Sequence, residues 1–225
     1  AADATAQGAF GSTGQRCTAT SRAIVHESVA GKFAELVVER AKKLKVGDGA
    51  QAGINMGPVV DDKQLATVLD YIAIGKQEAK LLIGGHRLET GEHSRGHFVA
   101  PTVFEAVAPS MRIAQEEIFG PVLSIMPVKN FEEALAAANG VRYGLAASIY
   151  TQDIAKAQRF CDEIQVGIVH VNNPTVGGEA QAPFGGQKAT GIGGREMGKT
   201  AIEFFTEWKT VYVDYTGKKR EGNLY

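Results

Sequence analysis

Apolar residues recur along this chain in two alternating rhythms. Residues 22–26 form a short β-branched run; over residues 28–44, Val29, Phe33, Leu36, Val37, Arg40 and Leu44 keep an i, i+3/i+4 spacing. The first pattern predicts a strand and the second a helix, with Ser28 as N-cap and Gly47-Asp48-Gly49 as the stop. A second helix is expected over residues 61–76, with Leu65, Val68, Leu69 and Ile72 on one face. Residues 80–83 then read as a strand ending at Gly84-Gly85. Residues 98–104 read as extended, and Pro101 pushes them toward an edge or irregular strand.

The alternation continues downstream. Residues 122–126 predict a strand, Asn130 caps a helix through Ala138, and residues 145–150 predict another strand. Asp153 caps a helix to Ile164, and residues 167–171 have the apolar run of a strand buried on both faces. This order implies an α/β fold: a mainly parallel sheet with helices on both faces. Residues 172–198 are glycine-rich and irregular, which in a compact domain usually means function. Residues 205–215 alternate like a strand between two environments, a C-terminal β arm. Residues 1–10 read as the tail of a helix without a cap, so the chain is expected to be cut from something longer.

Composition narrows the partners. At 44% hydrophobic and 22% charged, the 225 residues resemble an ordinary globular protein. A net charge of -1 argues against nucleic acid, and the one basic run, Lys218-Lys219-Arg220, lies in a polar chain end. No apolar stretch approaches the roughly 20 residues that cross a bilayer, so no membrane partner is expected. Two cysteines make no disulfide framework, which suits a reducing, cytoplasmic compartment. Cys161 follows a helical pattern and reads as a buried, inert thiol.

Cys17 is different. It stands in Ser12-Thr13-Gly14-Gln15-Arg16-Cys17-Thr18-Ala19, small turn-forming residues that leave little bulk to bury a thiol. Arg16 adds a neighbouring positive charge of the kind that favours a reactive thiolate, although adjacent side chains often point apart. A structural cysteine near a turn is the competing reading, at about even odds from spacing alone.

Glu116 and Glu117 are adjacent, so on an extended segment they face opposite ways and cannot converge like a hydrolase's paired acids. One of them could grip a ribose diol, with Phe119 offering a flat apolar face to a ring; two solvated charges and a core phenylalanine are the bland alternative. Gly191-Ile192-Gly193-Gly194 lacks a βαβ context and is a poor dinucleotide fingerprint. His26, His86, His93, His97 and His170 show no zinc-ligand spacing, and no metal is expected.

Taken in order, Gly14-Gln15-Arg16-Cys17, Glu116-Glu117-Ile118-Phe119-Gly120-Pro121-Val122, Tyr143-Gly144-Leu145-Ala146, Pro183-Phe184-Gly185-Gly186 and Gly194-Arg195-Glu196 resemble the C-terminal, catalytic portion of an NAD(P)-dependent aldehyde dehydrogenase. The resemblance runs through the whole chain. It implies a catalytic domain over residues 1–203 and an oligomerisation strand and tail over residues 204–225. On it, Cys17 attacks the aldehyde carbon, its backbone N–H helps hold the oxyanion, and a thiohemiacetal and then a thioester form on the sulfur. Glu117 would bind the nicotinamide-side ribose of NAD or NADP, Phe119 would pack by the cofactor ring, Phe184 would line the aldehyde funnel, and Glu196 would relay protons. A homo-oligomer, dimer or tetramer, is implied by the terminal arm.

The family's general-base glutamate, oxyanion-hole asparagine and phosphate-binding Rossmann half belong upstream of Ala1, so these 225 residues alone are expected not to oxidise an aldehyde. Thr175-Val176-Gly177-Gly178-Glu179 sits where relatives often carry a bulky aromatic, which implies a wider, more polar pocket. Two other classes stay open from sequence. A non-enzymatic relative would keep the fold for binding, and a thiol hydrolase would need a base such as His26.

Overall fold

The computed structural model describes residues 1–218 and 222, so Lys219 and Arg220 of the basic run and the last residues of the tail lie outside the described residues. Helix α1 (Ala2–Phe10) leads through a tight 3-10 segment (Gly11–Gly14) to strand β1 (Arg22–His26) and helix α2 (Glu27–Lys43). Helix α3 (Asp62–Glu78) precedes β2 (Lys80–Ile83), β3 (Arg87–Leu88), β4 (Phe98–Val99) and β5 (Thr102–Glu105). The short α4 (Arg112–Gln115), β6 (Val122–Val128) and α5 (Phe131–Asn139) follow. Then come β7 (Tyr143–Gly144), β8 (Ala146–Ile149), α6 (Ile154–Glu163), β9 (Ile168–Val171), β10 (Gln187–Lys188) and α7 (Thr200–Phe205).

The central sheet runs β1-β6-β5-β2. β6 pairs parallel with both β1 and β5, and only β2 runs antiparallel, at the edge. Alternation along β6 sends its side chains into two cores. Leu123 and Ile125, with Val103 and Ala23, pack against Ala6, Phe10, Ala34 and Val37 of α1 and α2. Val122 and Met126, with Phe104, pack against Leu65, Val68 and Ile72 of α3 and Ile113 of α4. Helices therefore cover both faces, as the strand–helix order requires.

Four local expectations are corrected. The cap of α2 is His26, whose Nδ1 accepts the Ser28 N–H at 3.3 Å; Ser28 lies within the first turn, so the helix begins two residues earlier than its hydroxyl suggests. The strand buried on both faces is β6, whereas β9 is half-buried, pairs only with β8 and packs through Val169 on Phe160 and Ile164 of α6. Cys161 is exposed. It follows Phe160, the buried residue of α6, and one step along a helix turns a side chain by about 100° away from that face. In the C-terminal arm α7 takes Phe205 as its last residue, and residues 206–215 are exposed and form neither helix nor strand. A strand needs a neighbour for its N–H and C=O groups.

The C-terminal end of α5 ties the main sheet to the β7–β10 region. Arg22 donates to the carbonyls of Ala137 and Ala138 at 2.9 and 3.2 Å, and Lys188 Nζ donates to that of Asn139 at 2.9 Å. Cations at a helix C-terminus satisfy its orphan carbonyls and complement its dipole. Burial pushes the Arg22 guanidinium below its ordinary range, yet those carbonyls keep it supplied with acceptors.

Candidate active site

The segment between α1 and β1 is a turn held from both sides. Ser12, Thr13 and Gly14 take φ values of 50, 59 and 67° in succession. Left-handed backbone is costly for residues with a Cβ and persists only where surroundings enforce it. Here the Thr13 hydroxyl donates to the Gly57 carbonyl at 3.1 Å, and the Gln15 side-chain oxygen accepts the Val60 N–H at 3.1 Å. A four-residue turn then closes, the Ala19 N–H donating to the Arg16 carbonyl at 3.0 Å. Cys17 sits at its first corner, and its thiol is exposed.

The loop after α4 is pinned as firmly. Arg112 forks onto Glu116 with contacts of 3.0 and 2.8 Å, and the Tyr71 hydroxyl donates to the same carboxylate at 2.7 Å. The Arg112 guanidinium, and then the Tyr71 hydroxyl, hold the Glu116 carboxyl down at about 2, so it stays ionised across the neutral range. One side chain from α3 braces the next residues: Gln64 Nε2 donates to the carbonyls of Ile118 and Phe119 at 2.9 and 2.8 Å. Phe119 adopts φ 54° and leaves its ring 39% exposed, while Ile118 beneath it is buried. Glu117, next to the anchored Glu116, is exposed.

The two loops lock at Gly14. A Cβ there would stand 2.1 Å from the Gly120 carbonyl oxygen, a distance no side chain tolerates. Cys17, Glu117 and Phe119 consequently line one groove of about 1170 Å³, which Tyr143 and Thr175 also border. Phe184 and Glu196 meet elsewhere: their backbones exchange hydrogen bonds of 2.6 and 2.9 Å, and neither residue lines that groove. The His26 ring nitrogen is engaged as the cap of α2, at the far end of β1 from the Cys17 turn. Among the described residues no group of three His, Cys, Asp or Glu could hold a metal ion, and no helix is long and apolar enough to cross a membrane.

The model of the aldehyde dehydrogenase family matches residues 1–211, which include both interlocked loops. The chain belongs to that family. Among curated relatives of this aldehyde dehydrogenase chain, the alpha-ketoglutaric semialdehyde dehydrogenase of Bacillus subtilis is 48% identical over 214 residues, covering 95% of the chain and 44% of the relative. The alpha-ketoglutarate semialdehyde dehydrogenase of Haloferax volcanii is 49% identical over 217 residues, covering 96% and 45%. The chain thus spans less than half the length of the curated relatives it matches. Among solved structures, betaine aldehyde dehydrogenase of Staphylococcus aureus in complex with NAD+ superposes with a TM-score of 0.87 at 38% identity, over 91% of this chain and 40% of that one. A 1-pyrroline-5-carboxylate dehydrogenase from Thermus with bound NAD gives 0.83 at 42% identity, over 88% and 38%.

Two residues that build this groove act through bonds that the sequence does not show. Gln64 lies on the polar side of α3 and braces carbonyls 54 and 55 residues away. Thr175 reaches back to the Cys17 turn across 157 residues. The legible part was the run of small, turn-forming residues around Gly14 and Cys17, which leaves the thiol little bulk to be buried in.

Proposed function

We propose that this chain is the catalytic portion of an NAD(P)-dependent semialdehyde dehydrogenase whose nucleophile is Cys17. The supporting observation is that Cys17, Glu117 and Phe119 border one groove on interlocked loops. An exposed ring beside an exposed carboxylate fits a nicotinamide riboside: Phe119 offers the ring an apolar face, and Glu117 accepts hydrogen bonds from the ribose hydroxyls. The Cys17 sulfur bonds to the aldehyde carbon and gives up its proton, and the Cys17 N–H donates to the oxyanion of the thiohemiacetal. The chemistry that NAD(P)+ supplies when bound is acceptance of the hydride leaving that carbon, which leaves a thioester on Cys17. Water then breaks the carbon–sulfur bond, releasing the carboxylic acid and the free thiol. The resemblance further gives Phe184 a place on the aldehyde approach and Glu196 a proton relay, although in this chain both lie outside the groove.

The proposed substrate class is supported by the two relatives at 48 and 49% identity, whose names specify alpha-ketoglutarate semialdehyde. Arg16 and Thr175, both on the groove, suit a polar, charged semialdehyde. The deciding experiment is dinucleotide reduction by the full-length protein with this semialdehyde against betaine aldehyde. Semialdehyde should win in kcat/KM, and equal rates would overturn the substrate assignment. Glu117→Gln should raise the KM for the dinucleotide about tenfold, the loss of about 1.4 kcal/mol from a charge-assisted hydrogen bond, with the aldehyde KM unchanged. An unchanged dinucleotide KM would remove Glu117 from the cofactor site. These 225 residues by themselves should reduce no dinucleotide, since they span less than half the length of the dehydrogenases they match.

The C-terminal arm serves assembly. Trp208, Tyr212 and Tyr215 are 92, 84 and 95% exposed, an apolar surface that a sheet edge of a second copy would cover. Light scattering should give a dimer or tetramer, and removal of residues 204–225 should shift it to monomer; a monomeric intact protein would refute the arm's role.

A further inference from the structure

We propose that Thr175 is the positioning residue of the nucleophile turn, an inference that rests on the assignment of Cys17 as nucleophile. Its hydroxyl donates to the Thr18 carbonyl at 2.7 Å and lies 2.8 Å from the Thr20 hydroxyl. Because Thr175 has a single proton and spends it on Thr18, the Thr20 hydroxyl is the donor in the second bond. One oxygen thus ties down the residue after Cys17 and the residue two beyond that. The Thr20 N–H in turn donates to the Gly8 carbonyl of α1 at 3.1 Å.

The packing admits little adjustment. A Cβ at Gly8 would stand 2.2 Å from the Thr20 hydroxyl oxygen and 3.7 Å from that of Thr175, so α1 presses both hydroxyls against the turn. Upstream, Cys17 is fixed by the Thr13 and Gln15 bonds and the Gly14–Gly120 contact. Downstream, Thr175 is the side chain that comes from a distant part of the chain and reaches the turn. It also borders the groove itself. The irregular glycine-rich segment that shapes the aldehyde pocket is therefore bonded directly to the turn that presents the sulfur. Substrate shape and nucleophile geometry are set by one residue.

The test compares Thr175→Val, which keeps the shape and removes both hydrogen bonds, with Thr175→Ser, which keeps the hydroxyl. In the full-length protein Thr175→Val should lower kcat about tenfold or more, a loss typical of a misplaced reacting group, with the dinucleotide KM unchanged. The rate of Cys17 carbamidomethylation by iodoacetamide, followed by peptide mass spectrometry, should shift several-fold in the same variant, and Thr175→Ser should restore both quantities. Wild-type kcat and alkylation in Thr175→Val, or equal impairment of the two variants, would overturn the proposal. If Thr175→Val does not fold, Thr20→Val reads the same quantities by removing the donor: a several-fold change supports the proposal and wild-type values overturn it. A wild-type protein that reduces no dinucleotide with any aldehyde would instead sink the reading of Cys17, a separate outcome.

Discussion

Cys17→Ala should abolish aldehyde oxidation, lowering kcat by about 10⁴-fold or more, while leaving thermal stability within experimental error. The first half follows from covalent chemistry. Removal of a nucleophile takes away both steps that depend on it, and what survives is the contribution of the surrounding donors. The second half follows from exposure: the Cys17 thiol is out in the groove and supports no core. Surface substitutions of that kind change stability by about 0.5 kcal/mol or less. Activity assays paired with thermal melts check both. A non-enzymatic relative has no rate to lose, so the pair of results separates that alternative from the enzyme. The thiol-hydrolase alternative needs a histidine base at the sulfur, and His26 stands at the end of β1 remote from the Cys17 turn.

Gly14→Ala should damage stability and catalysis together, the opposite signature. The added methyl would lie 2.1 Å from the Gly120 oxygen, 2.6 Å from its carbon and 2.9 Å from the Ala9 oxygen, all backbone atoms that cannot rotate aside. The φ of 67° adds about 1 kcal/mol of left-handed strain for an alanine. Relief requires the Cys17 turn and the Phe119 loop to move apart, so the total cost should reach about 3 kcal/mol, in the range of severe packing errors. A displacement of about 1 Å at reacting groups costs on the order of 10²-fold in rate. Urea denaturation and steady-state kinetics on the same preparation check it. A variant as stable and active as the parent would show that the two loops are not locked at this point.

Much of the fold was legible because burial and periodicity agree over long elements. The helix around Leu65, Val68 and Ile72 repeats at helical spacing, and Asp61 caps it through the Gln64 N–H. Strand β6 reads as a continuous apolar run because both its faces are covered. The readings that failed involve choices made by distant partners. Residues 167–171 are as apolar as β6, yet β9 has one neighbour and stays half-buried. Nothing local distinguishes the two. Cys161 differs from Phe160 by one position on α6, and a small error in helical phase reverses its burial. The alternation of residues 205–215 is real, but a strand forms only against an edge, and no described edge is beside it.

The candidate site divides the same way. Motifs marked Cys17, Glu117 and Phe119, and the structure places all three on one groove. The same motifs marked Phe184 and Glu196, which pair with each other outside it. The scaffold that positions the site, Gln64 beneath Phe119 and Thr175 behind the Cys17 turn, acts through single long-range hydrogen bonds. A polar residue on a helix or loop carries no local sign of such a bond, so only the fold reveals it.

The most direct test is to quench the full-length protein during turnover of the semialdehyde with excess dinucleotide, digest it, and weigh the peptide containing residue 17. A mass gain equal to the acyl group, carried on Cys17 and removed by hydroxylamine, is the result expected. An unmodified Cys17 peptide during steady turnover, or the acyl group on another residue, would contradict it.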